Sequence, residues 1–410
     1  MSFLEKFRNA GISDKDIIIA FNYKAGGSVK IGKRCYSFGG PNDSEKVIAE
    51  LRFNKDGLLH NIIPGKLLSN DRAQQEFIES ALQDINGDHG FMVTHRVLFS
   101  QKPLAGMFQW KDNFRIRPCL ELNHIGKGLD WRIDMDLRGA HRHLGPPHPI
   151  ILEVRTPRSP NFIIETNRYL EALDFYQWAL GLLIPHIIGT PFSRSGLPKW
   201  ISLKYKNEIQ YHLAHEGFAL NESEILETDN FSPLEIPNVP RYEGQEDYYN
   251  HFWFQRSEVE LSNELERYLE LIDNLPKDIK EDFRRALYWF DRGSGLGSQE
   301  EFSIIPFTIA IECLLPDPSN DICESCKKPK SDGPTKLFND FLKEHLSLPN
   351  NIENLKKSIY PKRSRIVHGS YASAVDESFF SLVSDNSSGV LTEHFVRRSI
   401  LNWLVTGNLG

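Results

Sequence analysis

Between about Asp16 and Ile164, apolar and polar residues alternate in short runs: DIIIAFNY, SVKIGKRCYSF, KVIAELRF, FMVTHRVLFS, GMFQWKDNFRIRPCLEL, LDWRIDMDL, PIILEVRT and NFIIET. Gly, Pro, Asn and Asp separate them, and a period of two predicts half-buried antiparallel strands. DRAQQEFIESALQDI breaks the pattern and predicts an amphipathic helix. Residues 167–188 also predict a helix, bent or ended by Pro185. Residues 220–247 carry acidic side chains, Pro233, Pro237 and Pro240, and little periodicity, so an interdomain linker is expected there. Beyond it the period becomes 3.6. Helices are expected over 257–274, 278–292, 298–315, 335–346, 351–359, 362–368 and 391–405. In the third, Phe302, Ile305, Ile309 and Cys313 form an apolar stripe expected to face a bundle core. The fold class is therefore α+β. A β-rich domain is expected over 1–165, a helical connector with an acidic, Pro-containing linker over 166–250, and an all-α bundle over 251–410.

Length supports this division, because 410 residues exceed what a single hydrophobic core usually serves. The formal net charge of −7 argues against a broad nucleic-acid wrap, so any such contact is confined to a local basic site. The opening MSFLEKFRNAG lacks the apolar run of a signal peptide. The longest apolar stretch, 178–189, is interrupted by Pro185 and His186 and falls short of the roughly 20 residues a spanning helix needs. A soluble cytoplasmic protein with no membrane partner is expected. Five cysteines, Cys35, Cys119, Cys313, Cys323 and Cys326, are an odd and sparse set that suits a reducing compartment.

Candidate chemistry concentrates near the C-terminus, in Arg363-Ser364-Arg365-Ile366-Val367-His368-Gly369. Pro361 suits the first turn of a helix, so a new helix is expected to start there after a kink. On it Ser364 and His368 share a face, and Arg363 lies on an adjacent one. Cleaving RNA without a metal requires a base for the 2′-hydroxyl proton, an acid for the leaving oxygen, and a cation for charge building on phosphorus. Histidine performs the proton transfers near neutral pH, and the arginine fork suits the phosphate. From Asp321 to Ser370 there are 10 Lys/Arg against 6 Asp/Glu, the reverse of the whole-chain balance, so this stretch attracts phosphate.

Three segments, FRRALYWFDRG, FTIAIECLLPD and LKKSIYPKRSRIVHGS, together resemble the ApeA-like branch of the HEPN superfamily over roughly residues 257–405. Its hallmark, an Arg and a His separated by four to six residues late in a helical bundle and typically followed by Gly, is matched by Arg363, His368 and Gly369. The resemblance implies a metal-independent endoribonuclease that needs no cofactor and dimerises so that two Arg-His motifs face one cleft. It gives His368 the proton transfer and Arg363 the transition-state charge. Ser364 stands where relatives often carry Asn or another polar residue, and Glu312 matches an acidic position often seen in them. Glu312 reads equally as a helix-terminal residue bonded within the bundle. The resemblance further implies RNA as substrate, perhaps tRNA, and a role in anti-phage defence or as a toxin, with a trigger that a phage component could supply. Many relatives are inactive, so a non-catalytic module binding a protein or nucleotide is the alternative.

Cys323-Glu-Ser-Cys326 looks like one knuckle of a structural zinc site, with Cys313, His345 or a second subunit completing it, or else like a loop with two free thiols. Asp134, Asp136, Arg138, His141, His143 and His148 have face-sharing spacings, but Gly139 and the following Gly-Pro-Pro read as a polar loop. Residues 27–33 match the first seven positions of a phosphate-binding loop, yet Arg34 stands where Ser or Thr is needed and the segment alternates as a strand.

Overall fold

The computed structural model describes residues 2–25, 29–39, 47–55, 57–100, 102–118, 122–124, 148–185, 187–189, 201–205, 208–213, 218–220, 229–231, 233–242, 248–249, 257–295, 300–316, 333–346, 353–368 and 388–406. The chain divides into two compact units that are discontinuous in sequence, with limits different from the serial division expected above. The first comprises residues 1–93, 155–172 and 228–230, and the second 94–154, 173–227 and 231–410.

In the first unit, α1 (Phe3–Asn9) starts at a capping box in which Ser2 and Glu5 satisfy each other's backbone N–H groups. α2 (Asp14–Lys24) covers the run DIIIAFNY, expected to be a strand. Ser13 caps it by accepting from the Asp16 N–H at 3.2 Å. Ile17, Ala20 and Phe21 then fall on one buried helical face, and this tertiary burial overrides the β preference of the triple isoleucine. Four strands follow, β1 (Val29–Gly32), β2 (Cys35–Gly39), β3 (Val47–Phe53) and β4 (Leu59–Pro64), paired antiparallel in sequence order. Lys33 and Arg34 turn β1 into β2, so residues 29–33 of the stretch resembling a phosphate loop belong to a hairpin, while Gly27 and Ser28 lie outside the described residues. α3 (Asp71–Asn86), capped by Asn70, packs on α1 and α2. Phe7, Phe21, Phe38, Leu51 and Ile78 form the core, with the Phe21 and Phe77 rings stacked at 4.6 Å.

The second unit holds a sheet with the order β12-β11-β5-β9-β7-β6 and β10 on β5. These strands are β5 (Phe91–Ser100), β6 (Phe108–Trp110), β7 (Phe114–Pro118), β9 (His148–Pro157), β10 (Ile187–Gly189), β11 (Ile201–Tyr205) and β12 (Glu208–Leu213). β8 (Leu122–His124) pairs with β13 (Phe218–Leu220). Helix α4 (Phe162–Leu183), whose residues 162–172 belong to the first unit and 173–183 to the second, begins within NFIIET, where a strand was expected. Asn161 takes the chain into it by accepting from the N–H groups of Ile163 and Ile164. One face of β7 meets α4, with the Phe114 and Tyr176 rings 4.5 Å apart.

The proline-containing segment expected as a linker is bonded over residues 237–242. Met107 N–H donates to Pro237 C=O at 2.7 Å, Val239 N–H to Met107 C=O at 3.0 Å, and Tyr242 N–H to Leu261 C=O at 3.0 Å. These bridges use the residues around 257–262, so the helix expected from 257 starts only at α5 (Leu265–Asp273). Then come α6 (Lys277–Gly295), α7 (Glu300–Glu312), α8 (Pro334–His345), α9 (Glu353–Val367) and α10 (Ser388–Thr406). The described protein thus pairs an antiparallel-sheet N-terminal region with a helical C-terminal region. α10 packs on α5, α6, α7 and α8, and its buried Arg397 donates to the Gly181 C=O at 2.6 Å and to the Leu182 C=O at the C-terminal end of α4. A cation on carbonyls that the helix cannot itself satisfy is a favourable anchor.

Candidate functional site

The packing of α7 and α9 brings Glu312 and Arg363 together. Gly293 on α6 lets α6 close on α7, because a Cβ there would sit 2.5 Å from the Phe307 ring. α7 is covered by α6, α9 and α10, which buries Ile304, Phe307, Ala310 and Ile311. The expected core stripe is therefore displaced: its described members Ile305, Ile309 and Cys313 are only half-buried, on the face that ends at Glu312. α9 docks on α7 and α8 through Ile359 and Tyr360, with the Tyr360 and Phe338 rings 5.1 Å apart. One turn later Arg363 Nη2 lies 3.5 Å from Glu312 Oε2, and its Cζ lies 5.5 Å from the Tyr360 ring centre. Arg363 Nε has no hydrogen-bond partner among the described residues.

Pro361 lies inside α9, so no new helix starts there. The turns on either side are held by their docking on α7 and α8, and Pro361 itself is exposed, where a lost backbone bond is least costly. Ser364 is half-buried, and its carbonyl accepts the His368 N–H at 3.0 Å. His368 follows the last helical residue and is exposed. Five positions along a helix turn the chain by a net of about 140°, so Arg363 and His368 leave α9 on different sides. The structure thus joins Arg363 to Glu312, and it places Ser364 and His368 on the adjoining final turn.

Burial and the neighbouring Glu312 carboxylate push the Tyr360 phenol up, with Arg363 opposing. Burial likewise raises the Cys313 thiol, which disfavours the thiolate needed for metal ligation. His345 is buried, with its ring edge on Phe341 and its Nδ1 3.3 Å from Thr406 Oγ1. Among the described residues, no group of three or more His, Cys, Asp or Glu is placed to hold a metal. Cys323 and Cys326 lie outside the described residues, as do Asp134, Asp136, Arg138, His141 and His143.

A second charged cluster escaped the sequence reading. On the face of the sheet opposite Phe114, Glu153 of β9 sits directly across from Arg115 of β7. Arg115 Nε donates to Glu153 Oε2, Arg117 Nε donates to Oε1 at 2.8 Å, and His95 Nε2 of β5 lies 3.4 Å from Oε1. All four are buried. Burial alone would raise the Glu153 carboxyl, but His95, Arg115 and Arg117 hold it far below the usual carboxylate range. Alternating strands with charged second faces predict solvent exposure. The overlooked signal was complementarity, with Arg-x-Arg facing a lone Glu.

His394 on α10 provides a pH handle on the bundle. Burial first, then Arg398 and Arg397, push its imidazole down to about 4 from 6.5. Unfolding releases that constraint, so below 6.5 the unfolded chain takes up a proton that the folded chain refuses. Stability is unaffected by this group above pH 6.5, falls as pH drops towards 4, and levels off below. The expected loss between pH 7 and pH 5 is about 2 kcal/mol, read as a lower urea midpoint. His394→Phe removes that part of the slope. An unchanged slope in the variant would refute the assignment.

Comparison of the chain with family models, with curated proteins and with solved structures gives no match.

Proposed function

We propose that this chain is a metal-independent endoribonuclease of the ApeA-like branch of the HEPN superfamily, cleaving RNA in the cytoplasm as a homodimer during anti-phage defence or as a toxin. The observation that carries the reading is the paired Glu312 and Arg363 beside the exposed His368. A guanidinium paired with a carboxylate suits a phosphate, and an exposed imidazole suits proton transfer at a phosphodiester. His368 takes the 2′-hydroxyl proton or returns one to the leaving oxygen. The 2′-oxygen attacks phosphorus, the bond to the 5′-oxygen breaks, and Arg363 carries the charge on the equatorial oxygens. The products are a 2′,3′-cyclic phosphate and a 5′-hydroxyl.

Dimerisation follows from chemistry that needs both a base and an acid. One copy offers a single His368, on a different side of α9 from Arg363, and a second copy supplies the other. The half-buried apolar face of Ile305 and Ile309, ending at Glu312, is a suitable surface for that copy. The N-terminal region would then sense the trigger and restrain the nuclease.

Sequencing RNA ends after expression tests the reading. New 5′-hydroxyl ends and cyclic phosphates are expected with the wild type and not with His368→Ala. If the wild type, given phage infection as trigger, yields no such ends, the chain is instead a binding module of the same shape.

A further inference from the structure

The four-stranded sheet of the first unit has two edges, and only one of them is covered among the described residues. At β4, α1 packs against the strand and its Arg8 donates to the Leu59 C=O at 2.9 Å. β1 lies at the other end of the order, and no described strand continues the sheet beyond it. Lys33 and Arg34 form a two-residue turn, so the Gly32–Cys35 pair that closes it is a hydrogen-bonded one. The ladder then alternates, and Val29 and Ile31 turn their N–H and C=O groups away from β2, to the open edge. The side chains beside those groups are of two kinds. On the core face, Ile31 is 75% exposed opposite Tyr36, whose ring lies 4.8 Å from that of Phe53. On the other face stands Lys30, with Lys33 and Arg34 at the tip, all three exposed. Residues 29–39 contain no Asp or Glu. Glu50, two strands in from Lys30 on the same face, accepts from Arg52 Nε at 2.6 Å.

We propose that β1 is a docking edge for an acidic extended segment of a partner protein, which adds to the sheet as a fifth strand. The open N–H and C=O groups of Val29 and Ile31 supply main-chain bonds, and side-chain alternation supplies selectivity. A residue of the incoming strand beside Ile31 points to the core face, so it is apolar and covers Ile31 and Tyr36. Its two neighbours point the other way, where carboxylates meet Lys30 and the basic tip. An acidic–apolar–acidic alternation is therefore the motif this edge reads. A second copy of the chain is the wrong occupant. Two-fold antiparallel pairing of Ile31 on Ile31 would gather Lys30, Lys33 and Arg34 of both copies along one short ladder, and like charges there are destabilising. Lysine is a common guard on a bare edge, whereas Ile31 in the same strand works against guarding. The edge lies in the N-terminal region proposed above to sense a trigger, and its docking role stands without the nuclease.

The test uses the full-length chain and a fluorescein-labelled peptide, TEVEVET, with TKVKVKT as its charge-reversed control. In fluorescence anisotropy TEVEVET binds, less tightly at high salt, and TKVKVKT binds at least about tenfold more weakly. Lys30→Glu weakens TEVEVET about tenfold, and Ile31→Ser about fivefold through lost apolar cover. Ile31→Pro abolishes binding. It removes the outward N–H but no bond to β2, so the urea midpoint falls little. Should proline disturb the strand, Ile31→Ser and Lys30→Glu, both at exposed side chains, decide the matter. Equal binding of the two peptides, no binding at millimolar peptide, or wild-type affinity in Ile31→Ser and Lys30→Glu overturns the proposal. Self-association that Ile31→Pro abolishes, without binding of TEVEVET, gives the edge to a second copy and overturns it too. Binding of oligouridylate that Lys33→Glu abolishes and Ile31→Pro leaves intact, again without binding of TEVEVET, makes the cations a nucleic-acid contact instead. None of these outcomes depends on RNA cleavage, so the docking edge and the nuclease fail separately.

Discussion

On the proposed function, His368→Ala is expected to lower RNA cleavage by the purified chain about 1,000-fold, the middle of the range for losing a general acid–base group. Arg363→Ala lowers it by at least about 100-fold, as expected for removing a donor aimed at developing charge. Both effects fall on kcat, since the proton transfer and the charge on phosphorus exist only in the transition state. The wild type should retain its rate in EDTA, because in the proposed mechanism the nucleophile is the substrate's own 2′-hydroxyl, which needs no metal to lower its pKa. A substrate with 2′-deoxyribose at the cut position is not cleaved. Glu312→Gln is milder than Arg363→Ala, because the amide keeps an acceptor oxygen for the guanidinium. Equal rates for wild type, His368→Ala and Arg363→Ala would remove this site from the chemistry. Cleavage of the deoxy substrate would do so more directly, since the mechanism then has no nucleophile.

The helical half was the more legible part of the chain, for a physical reason. A 3.6 period summed over a dozen or more residues survives local noise, and α3, α6, α8 and α10 lie close to where it put them. Short apolar runs carry no such redundancy. DIIIAFNY and NFIIET each begin a helix because Ser13 and Asn161 cap them, a signal carried by one side chain and outweighed by the β-branched residues that follow. The stripe on α7 was misplaced because a helix packed on several sides buries most of its circumference, leaving amphipathicity little to report. At the site, spacing found Arg363 and His368, and the placement of Glu312 rested on a resemblance.

Glu153→Ala costs the second unit about 3–5 kcal/mol, the range for removing one member of a buried ion pair. That is a large share of the roughly 5–15 kcal/mol that stabilises a typical domain, so poor solubility on expression is part of the expectation. The loss greatly exceeds that of an exposed pair such as Arg72 with Glu76, because Arg115 and Arg117 stay buried after the carboxylate that bridges them is removed. Glu153→Gln keeps the shape and an acceptor oxygen, folds better, and still loses the charge. Its urea midpoint at pH 7 is the decisive measurement, and a value equal to the wild type would show that the network does not hold the sheet. The pH dependence gives an independent check. The folded Glu153 carboxyl lies far below its ordinary range, so its contribution is complete above about 4.5 and fades only as pH falls through the folded value. Between pH 7 and 5 it therefore adds no slope, whereas His394 does. Glu153→Gln should lower the stability curve across that interval without changing its tilt, and His394→Phe should change the tilt.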